Sequence, residues 1–276
     1  MNVLSIQSEV VFGHVGQGAA RFALQRLGHE VWALPTVIYS NHAGYPHVEG
    51  DAVSADLLRR LLDGVAANGW LSRCDAVLSG YLGSAEQAAA VAEAVVRAKR
   101  ANPRAIYCLD PVLGDNGRAY AKHGVAEAIA RHLLPLADIV APNCFELQQL
   151  TAVSIGTPAE AMRAASSLGR PLVLVTSVSK GADRIGVVAA SRAECWFVST
   201  PFLENVPHGA GDLFAALYVA ERSSGSSLAD ALQRSVGRVF RILATSRGSQ
   251  ELRLVTEQNL FADSVECNGL QCQKLA

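Results

Sequence analysis

Two periods alternate in the hydrophobic pattern of this chain. Short β-branched runs at residues 3–6, 31–34, 36–39, 75–79, 105–109, 138–141 and 172–175 have the length of buried strands. Longer stretches between them repeat at helical spacing. In residues 18–27, Phe22, Ala23 and Leu27 share a face before Gly28 stops the pattern, and in residues 54–65 Leu57, Leu58, Leu61, Leu62 and Val65 recur three and four apart. Ser84 and Gln87 have capping-box spacing ahead of an Ala-rich helix that ends near Asn102-Pro103. Thr157-Pro158-Ala159-Glu160 combines a cap, a proline and a box acid, and opens a helix that Gly169 closes. Further helices are predicted after the Gly-rich segment 110–117 to about Leu134, from Gly209 onward, and over residues 227–243. The runs at 185–189 and 195–198 read as an antiparallel hairpin.

Strands that alternate with helices imply an α/β fold with a mostly parallel sheet covered on both faces, and ligands at the carboxyl ends of its strands. One domain is expected over residues 1–262. Residues 263–276 lose all periodicity and read as a C-terminal tail with no assigned role.

Composition narrows the function. Of 276 residues, 50% are hydrophobic and 18% charged, enough to bury about three-quarters of the unfolded surface and to exclude intrinsic disorder. Lys and Arg number 24 against 25 Asp and Glu, so neither nucleic acid nor a membrane surface is an expected partner, and any phosphate recognition must be local. Six scattered cysteines without a C-x-x-C pair argue against a zinc cluster and for a reducing compartment. The amino terminus lacks a basic start and a long apolar run, and a cytoplasmic protein is expected.

The most informative segment is His208-Gly209-Ala210-Gly211-Asp212, where small residues lead straight into a helix. Glycines let the backbone approach an anion, and the unpaired N–H groups of a helix start favour negative charge there. Asp212 in the first turn can take the proton of an attacking hydroxyl, or can simply complement the helix dipole. A helix start lowers a carboxyl's pKa, so Asp212 is expected to be a weak base that acts late in a loose phosphoryl transfer. Asp110 and Asp115 flank a Gly-containing turn at a strand end, suited to water, a divalent ion or a phosphate, or to plain solvation. Asn143 and Glu146 follow another strand and suit either hydrated Mg²⁺ or a helix cap. Residues 5–8, 39–45 and 79–83 mix hydroxyls, amides and aromatic rings, as a pocket for a flat polar heterocycle would. His42 there reads first as a structural histidine. The glycines of 13–18 do not match a dinucleotide fingerprint, and neither a P-loop nor a protein-kinase signature occurs.

Seven ordered motifs together resemble the pyridoxal kinases of the ribokinase-like superfamily, over roughly residues 1–255. They are Ser5-Ile6-Gln7-Ser8, Gly13-His14-Val15-Gly16, Ser40-Asn41-His42-Ala43-Gly44-Tyr45, Ser79-Gly80-Tyr81, Asp110-Pro111-Val112-Leu113-Gly114-Asp115, Asn143 with Glu146, and Gly209-Ala210-Gly211-Asp212. The resemblance implies a three-layer αβα sandwich that phosphorylates the 5'-hydroxymethyl group of pyridoxal, pyridoxine or pyridoxamine from ATP. It also implies Mg²⁺, a monovalent cation (K⁺ or Na⁺) and a homodimer. By position, Asp212 matches the catalytic base and a substrate ligand, and Val206, Pro207, His208, Gly209, Ala210 and Gly211 match the nucleotide and anion-hole loop. Ser8, Ala43, Gly44 and Tyr81 match the substrate pocket. Asp110, Asp115, Asn143 and Glu146 match positions near nucleotide and metal, with Asp110 and Glu146 acting on the metal through water, and Thr176-Ser177 matches a hydroxyl pair near the phosphates. Residues 114–121, with Tyr120, would form a lid.

Three departures stand out. Ala43 replaces the Thr of many relatives and removes one side-chain hydrogen bond to substrate, worth about 1 kcal/mol. Ala210 replaces a Thr or Val of the anion loop, where the backbone donors survive the change. The lid is short, with few bulky residues. Two other readings stay open: a kinase for another hydroxymethyl heterocycle such as hydroxymethylpyrimidine, and an inactive B6 or nucleotide sensor, disfavoured because Gly209, Gly211, Asp212 and Glu146 are all present.

Overall fold

A computed structural model of the protein describes residues 1–115, 117–262 and 269–275. Asn2–Val10 (β1), Gln17–Arg26 (α1) and Glu30–Tyr39 (β2) open the chain, followed by Gly50–Ala52 (β3), Ala55–Ala67 (α2), Ala76–Ser79 (β4) and Ala85–Ala101 (α3). Ile106–Leu109 (β5) leads to a small hairpin of Gly114–Asp115 (β6) and Arg118–Ala119 (β7), then Val125–Ala128 (α4) and Ile139–Val140 (β8). Cys144–Thr151 (α5), Pro158–Ser167 (α6), Leu172–Ser179 (β9), Arg184–Ser191 (β10) and Cys195–Pro201 (β11) come next. Ala210–Ser223 (α7), Leu228–Ser246 (α8) and Gln271–Leu275 (β12) complete it.

One sheet of ten strands runs β12-β11-β10-β9-β8-β5-β4-β1-β2-β3, with β2, β1, β4, β5, β8 and β9 parallel and the remaining four antiparallel to their neighbours. Alternation along the strands feeds two cores. Val3, Ala76 and Leu78 pack with α1, α7 and α8 on one face, whereas Leu4, Ile6 and Val77 pack with α2, α3 and α4 on the other. The second face continues over β9 to β11 beneath α5 and α6. The result is the expected three-layer αβα sandwich, and because both sheet faces are buried its strands read as nearly continuous apolar runs.

Several elements differ from the sequence expectation. The two extended runs around Pro35 form one strand, since Pro35 lies where β2 has no partner on its outer side. Ser84 does not cap α3 through its side chain. Gln87 instead reaches back, accepting from Gly83 N–H at 2.8 Å and donating to the Thr36 and Val53 carbonyls at 2.7 and 2.6 Å. The helix predicted up to Leu134 is α4 continued by a wide turn, Ile129–Leu133, and ended by a tight one, Leu134–Leu136, which contains Pro135. Residues 271–275, left in the tail by the sequence pattern, pair antiparallel with β11. The rest of that tail, residues 263–268 and 276, lies outside the described residues, as does Asn116 of the lid segment. Among the described residues no helix is long and apolar enough to cross a membrane.

Candidate active site

The carboxyl ends of the parallel strands surround a cleft of ≈750 Å³. Asp110 follows β5, Asn143 and Glu146 stand at the junction of β8 and α5, Thr176 and Ser177 lie in β9, and residues 206–212 lead into α7; all line this cleft with Asp115 and Tyr120. The structure thus gathers every residue expected on the nucleotide side. It also adds a wall the sequence reading missed: Val236, Val239, Phe240 and Leu243 of α8, opposite Ile185 and Phe202. Their three- and four-residue spacing was the available signal, though it reads equally as core.

Gly209 initiates α7 with φ of +98°, a left-handed backbone, and a Cβ there would collide with the His14 carbonyl oxygen. No side-chain hydrogen bond caps the helix, and residues 209–212, whose first-turn N–H groups have no intrahelical acceptor, line the cleft. Asp212 sits at the third position of α7, with an edge still open to the cleft. The low pKa expected of a helix start is not found. Burial pushes the Asp212 carboxyl up to about 6, although the Gly16 N–H that donates to it and the nearby His42 both favour the charged form.

Two further acids share this region. Burial, then the charges of Glu146 and Asp212, raise Asp110 well above the ordinary carboxylate range. Burial pushes Glu146 up to about 7 against donation from the Asn143, Leu113 and Gly114 N–H groups. Glu146 Oε1 accepts from Leu113 N–H at 2.9 Å and Oε2 from Asn143 N–H at 2.8 Å. Asn143 Oδ1 in turn accepts from Glu146 N–H at 2.9 Å, and its Nδ2 donates to the Gly114 carbonyl at 2.8 Å. The pair is therefore a capping box that also anchors the β6–β7 hairpin. Asn143→Ala should lose about 1 kcal/mol of cap stability and slacken that hairpin. The expected outcome is a melting temperature a few degrees lower and a raised nucleotide KM, read by thermal melts and steady-state kinetics.

Of the residues expected around an organic substrate, Asp212 lines this cleft, whereas Ser8, Ala43, Gly44 and Tyr81 are not part of its lining. Ser8 is buried at a bulge near the end of β1, and a Cβ on Gly16, the donor to Asp212, would strike it. Tyr81 follows β4, where its carbonyl accepts from Thr36 Oγ1 at 2.6 Å. Ala43 and Gly44 are exposed in the loop between β2 and β3. That loop meets the α7 loop through rings: His42 and His208 have centroids 4.8 Å apart. Sequence reasoning placed Gly16 in a motif without giving it a role and read His42 first as structural, because the contacts of each with residues 208–212 join segments remote in the chain.

The family model described as phosphomethylpyrimidine kinase matches residues 28–250. A pyridoxal kinase PdxY of Corynebacterium diphtheriae is 41% identical over 271 residues, 95% of this chain and 96% of the relative. The chain belongs to the pyridoxal kinase family. A second pyridoxal kinase PdxY, from Rubrobacter xylanophilus, is 42% identical over 268 residues, 94% of this chain and 92% of the relative. Among solved structures, pyridoxal kinase from Leishmania donovani in complex with ADP and pyridoxamine superposes with a TM-score of 0.93 at 31% identity, over 100% of this chain and 99% of that one. Pyridoxal kinase from Entamoeba histolytica does so with a TM-score of 0.93 at 26% identity, over 99% of each chain. The ribokinase-like architecture and the membership implied by the seven motifs are both borne out.

Proposed function

We propose that this member of the pyridoxal kinase family transfers the γ-phosphoryl group of ATP to the 5'-hydroxymethyl oxygen of pyridoxal and its B6 relatives. Asp212 takes the hydroxyl proton as the new P–O bond forms, ADP leaves with the electrons of the broken bond, and the α7 N–H groups hold the charge gathering on the moving phosphoryl. The observation that carries this reading is the position of Asp212: in the first turn of an uncapped helix, between the acidic cleft and the 41–45 loop, with its carboxyl raised to about 6. A base with that pKa is well matched to neutral pH.

The residues fit Mg²⁺ carried in with the nucleotide. Asp110 and Glu146 line the cleft with hard carboxylate oxygens, the donor type that a hydrated Mg²⁺ bound to phosphate takes. Asp110 would hold it through water. Glu146, already accepting from backbone N–H groups, would act on it only through water as well. When bound, Mg²⁺ supplies charge neutralisation for the phosphates. The apolar wall of α8 suits the nucleobase, and Thr176 and Ser177 the phosphates.

We also infer a cytoplasmic homodimer. Val11, Phe12, Ile38 and Val48 are exposed together around the ends of β1 and β2, an apolar patch that a second copy would cover. A K⁺ or Na⁺ requirement belongs to the same reading and is tested by activity in buffers that hold one monovalent cation at a time.

Release of ADP, followed in turn with pyridoxal, pyridoxine, pyridoxamine and hydroxymethylpyrimidine, tests the assignment. Turnover with the B6 vitamers supports it. Turnover with hydroxymethylpyrimidine alone would move the chain to that chemistry, and background ATP consumption with every vitamer would make it a sensor. The pH profile is a further test. The base works only when ionised, so kcat/KM should rise from pH 5 and level off above pH 7, with apparent pKa values near 6 to 7 that belong to the coupled acids jointly.

A further inference from the structure

We propose that Glu251 is a positioning residue that locks the loop at residues 41–45 against the phosphate loop at residues 208–212, and so sets affinity for the vitamer. The proposal rests on the kinase reading above and names a residue that reading does not use. Glu251 lies beyond the end of α8, and its side chain is only 11% exposed. Its carboxylate collects three donors from two distant segments. Oε2 accepts from His14 N–H at 2.8 Å, and Oε1 accepts from Tyr45 Oη at 2.7 Å and meets His42 Nε2 at 3.0 Å. Burial alone would raise this carboxyl, yet the hydrogen bonds from Tyr45, His14 and His42 hold it below its ordinary value.

The contact with His42 has a consequence for the whole loop. His42 Nδ1 lies 3.1 Å from Gly44 N–H, and accepts that bond only when it carries no proton. Nε2 must then hold the ring's hydrogen and donate it to Glu251, so the carboxylate selects the tautomer that fixes the Gly44 backbone. The oriented ring lies 4.8 Å from His208, the neighbour of Gly209, and 4.7 Å from Tyr45. The next residue, Leu252, is 1% exposed and packs on Gly209, its Cδ1 3.1 Å from where a Cβ would stand. Two consecutive residues thus hold the alcohol-side loop and the phosphate-side loop in register.

Glu251→Gln tests this. Its amide has one acceptor atom where the carboxylate has two: with the NH₂ toward His42 and Tyr45 the ring must take the other tautomer and Nδ1 can no longer accept from Gly44, and with the NH₂ toward His14 the N–H bond that ties the two segments together is lost. The vitamer KM should rise about tenfold, equivalent to one hydrogen bond of about 1.4 kcal/mol, while the ATP KM stays within about twofold. A general loss of packing would move both constants together. Ring ¹⁵N NMR of His42 in the wild-type protein gives a second readout that needs neither turnover nor a folded variant, and the Nε2–H tautomer is expected. An unchanged vitamer KM in a folded Glu251→Gln, or an Nδ1–H tautomer in the wild type, overturns the proposal while the kinase reading stands. A wild-type protein inactive on every vitamer would defeat the kinase reading instead, and the tautomer measurement would still decide the tie between the loops.

Discussion

Asp212→Asn is expected to lower kcat by about 10²- to 10⁴-fold while the protein binds nucleotide and melts at a higher temperature than the wild type. The loss follows from removing the proton acceptor. The stability gain follows from the same burial that tunes the base. In the unfolded chain this carboxyl titrates near 3.8, and in the folded protein near about 6. Folding therefore favours the protonated form, so the penalty is absent below about pH 3.8, grows between 3.8 and about 6, and is full above that. Asparagine carries no such penalty, so the variant should gain a few degrees at pH 8 and lose that advantage toward pH 4. Calorimetry at the two pH values, beside single-turnover kinetics, checks both halves. A variant with near wild-type kcat would remove Asp212 from the mechanism.

Gly209→Ala should be strongly damaging for a single added methyl. The backbone there has φ of +98°, which costs an ordinary residue about 1–3 kcal/mol, and the new Cβ would run into the His14 carbonyl oxygen as well. Relief requires moving either the start of α7 or the loop that delivers the Gly16 N–H to Asp212. The first displaces the α7 N–H groups and the second the donor to Asp212, so a melting temperature lower by ten degrees or more and kcat/KM reduced by about 10²-fold or more are expected. Gly211→Ala is the control. A Cβ there meets only Asp110 Oδ2 at 3.9 Å, so folding should be untouched and helix propensity should favour the change. Equal destabilisation in the two variants would show that the close approach at Gly209 is not the cause.

Much of the architecture was legible because both faces of the sheet are buried. Runs such as Val3–Ile6 and Leu172–Val175 announced strands, and the β then α rhythm announced the parallel order. Features set by tertiary contact were not legible. Gln87 looked like half of a capping box, yet its amide is spent on Gly83, Thr36 and Val53, partners that only the folded sheet brings near. Asp212 was visible as a first-turn acid, but its raised pKa comes from enclosure by elements distant in sequence. Glu251 gave no local signal at all, being 209 residues from His42 and 237 from His14. The edge strand β12 escaped because Gln271, Gln273 and Lys274 break any apolar alternation, as a solvent-facing rim strand requires.

That rim strand has a practical meaning for handling the protein. Without Gln271–Leu275 the outermost strand would be β11, whose Trp196, Phe197 and Val198 would present an unpaired, aggregation-prone border to neighbouring copies. The polar C-terminal residues serve as a bumper against edge-to-edge stacking. Shortened versions that stop near residue 262 would gain stickiness rather than simplicity.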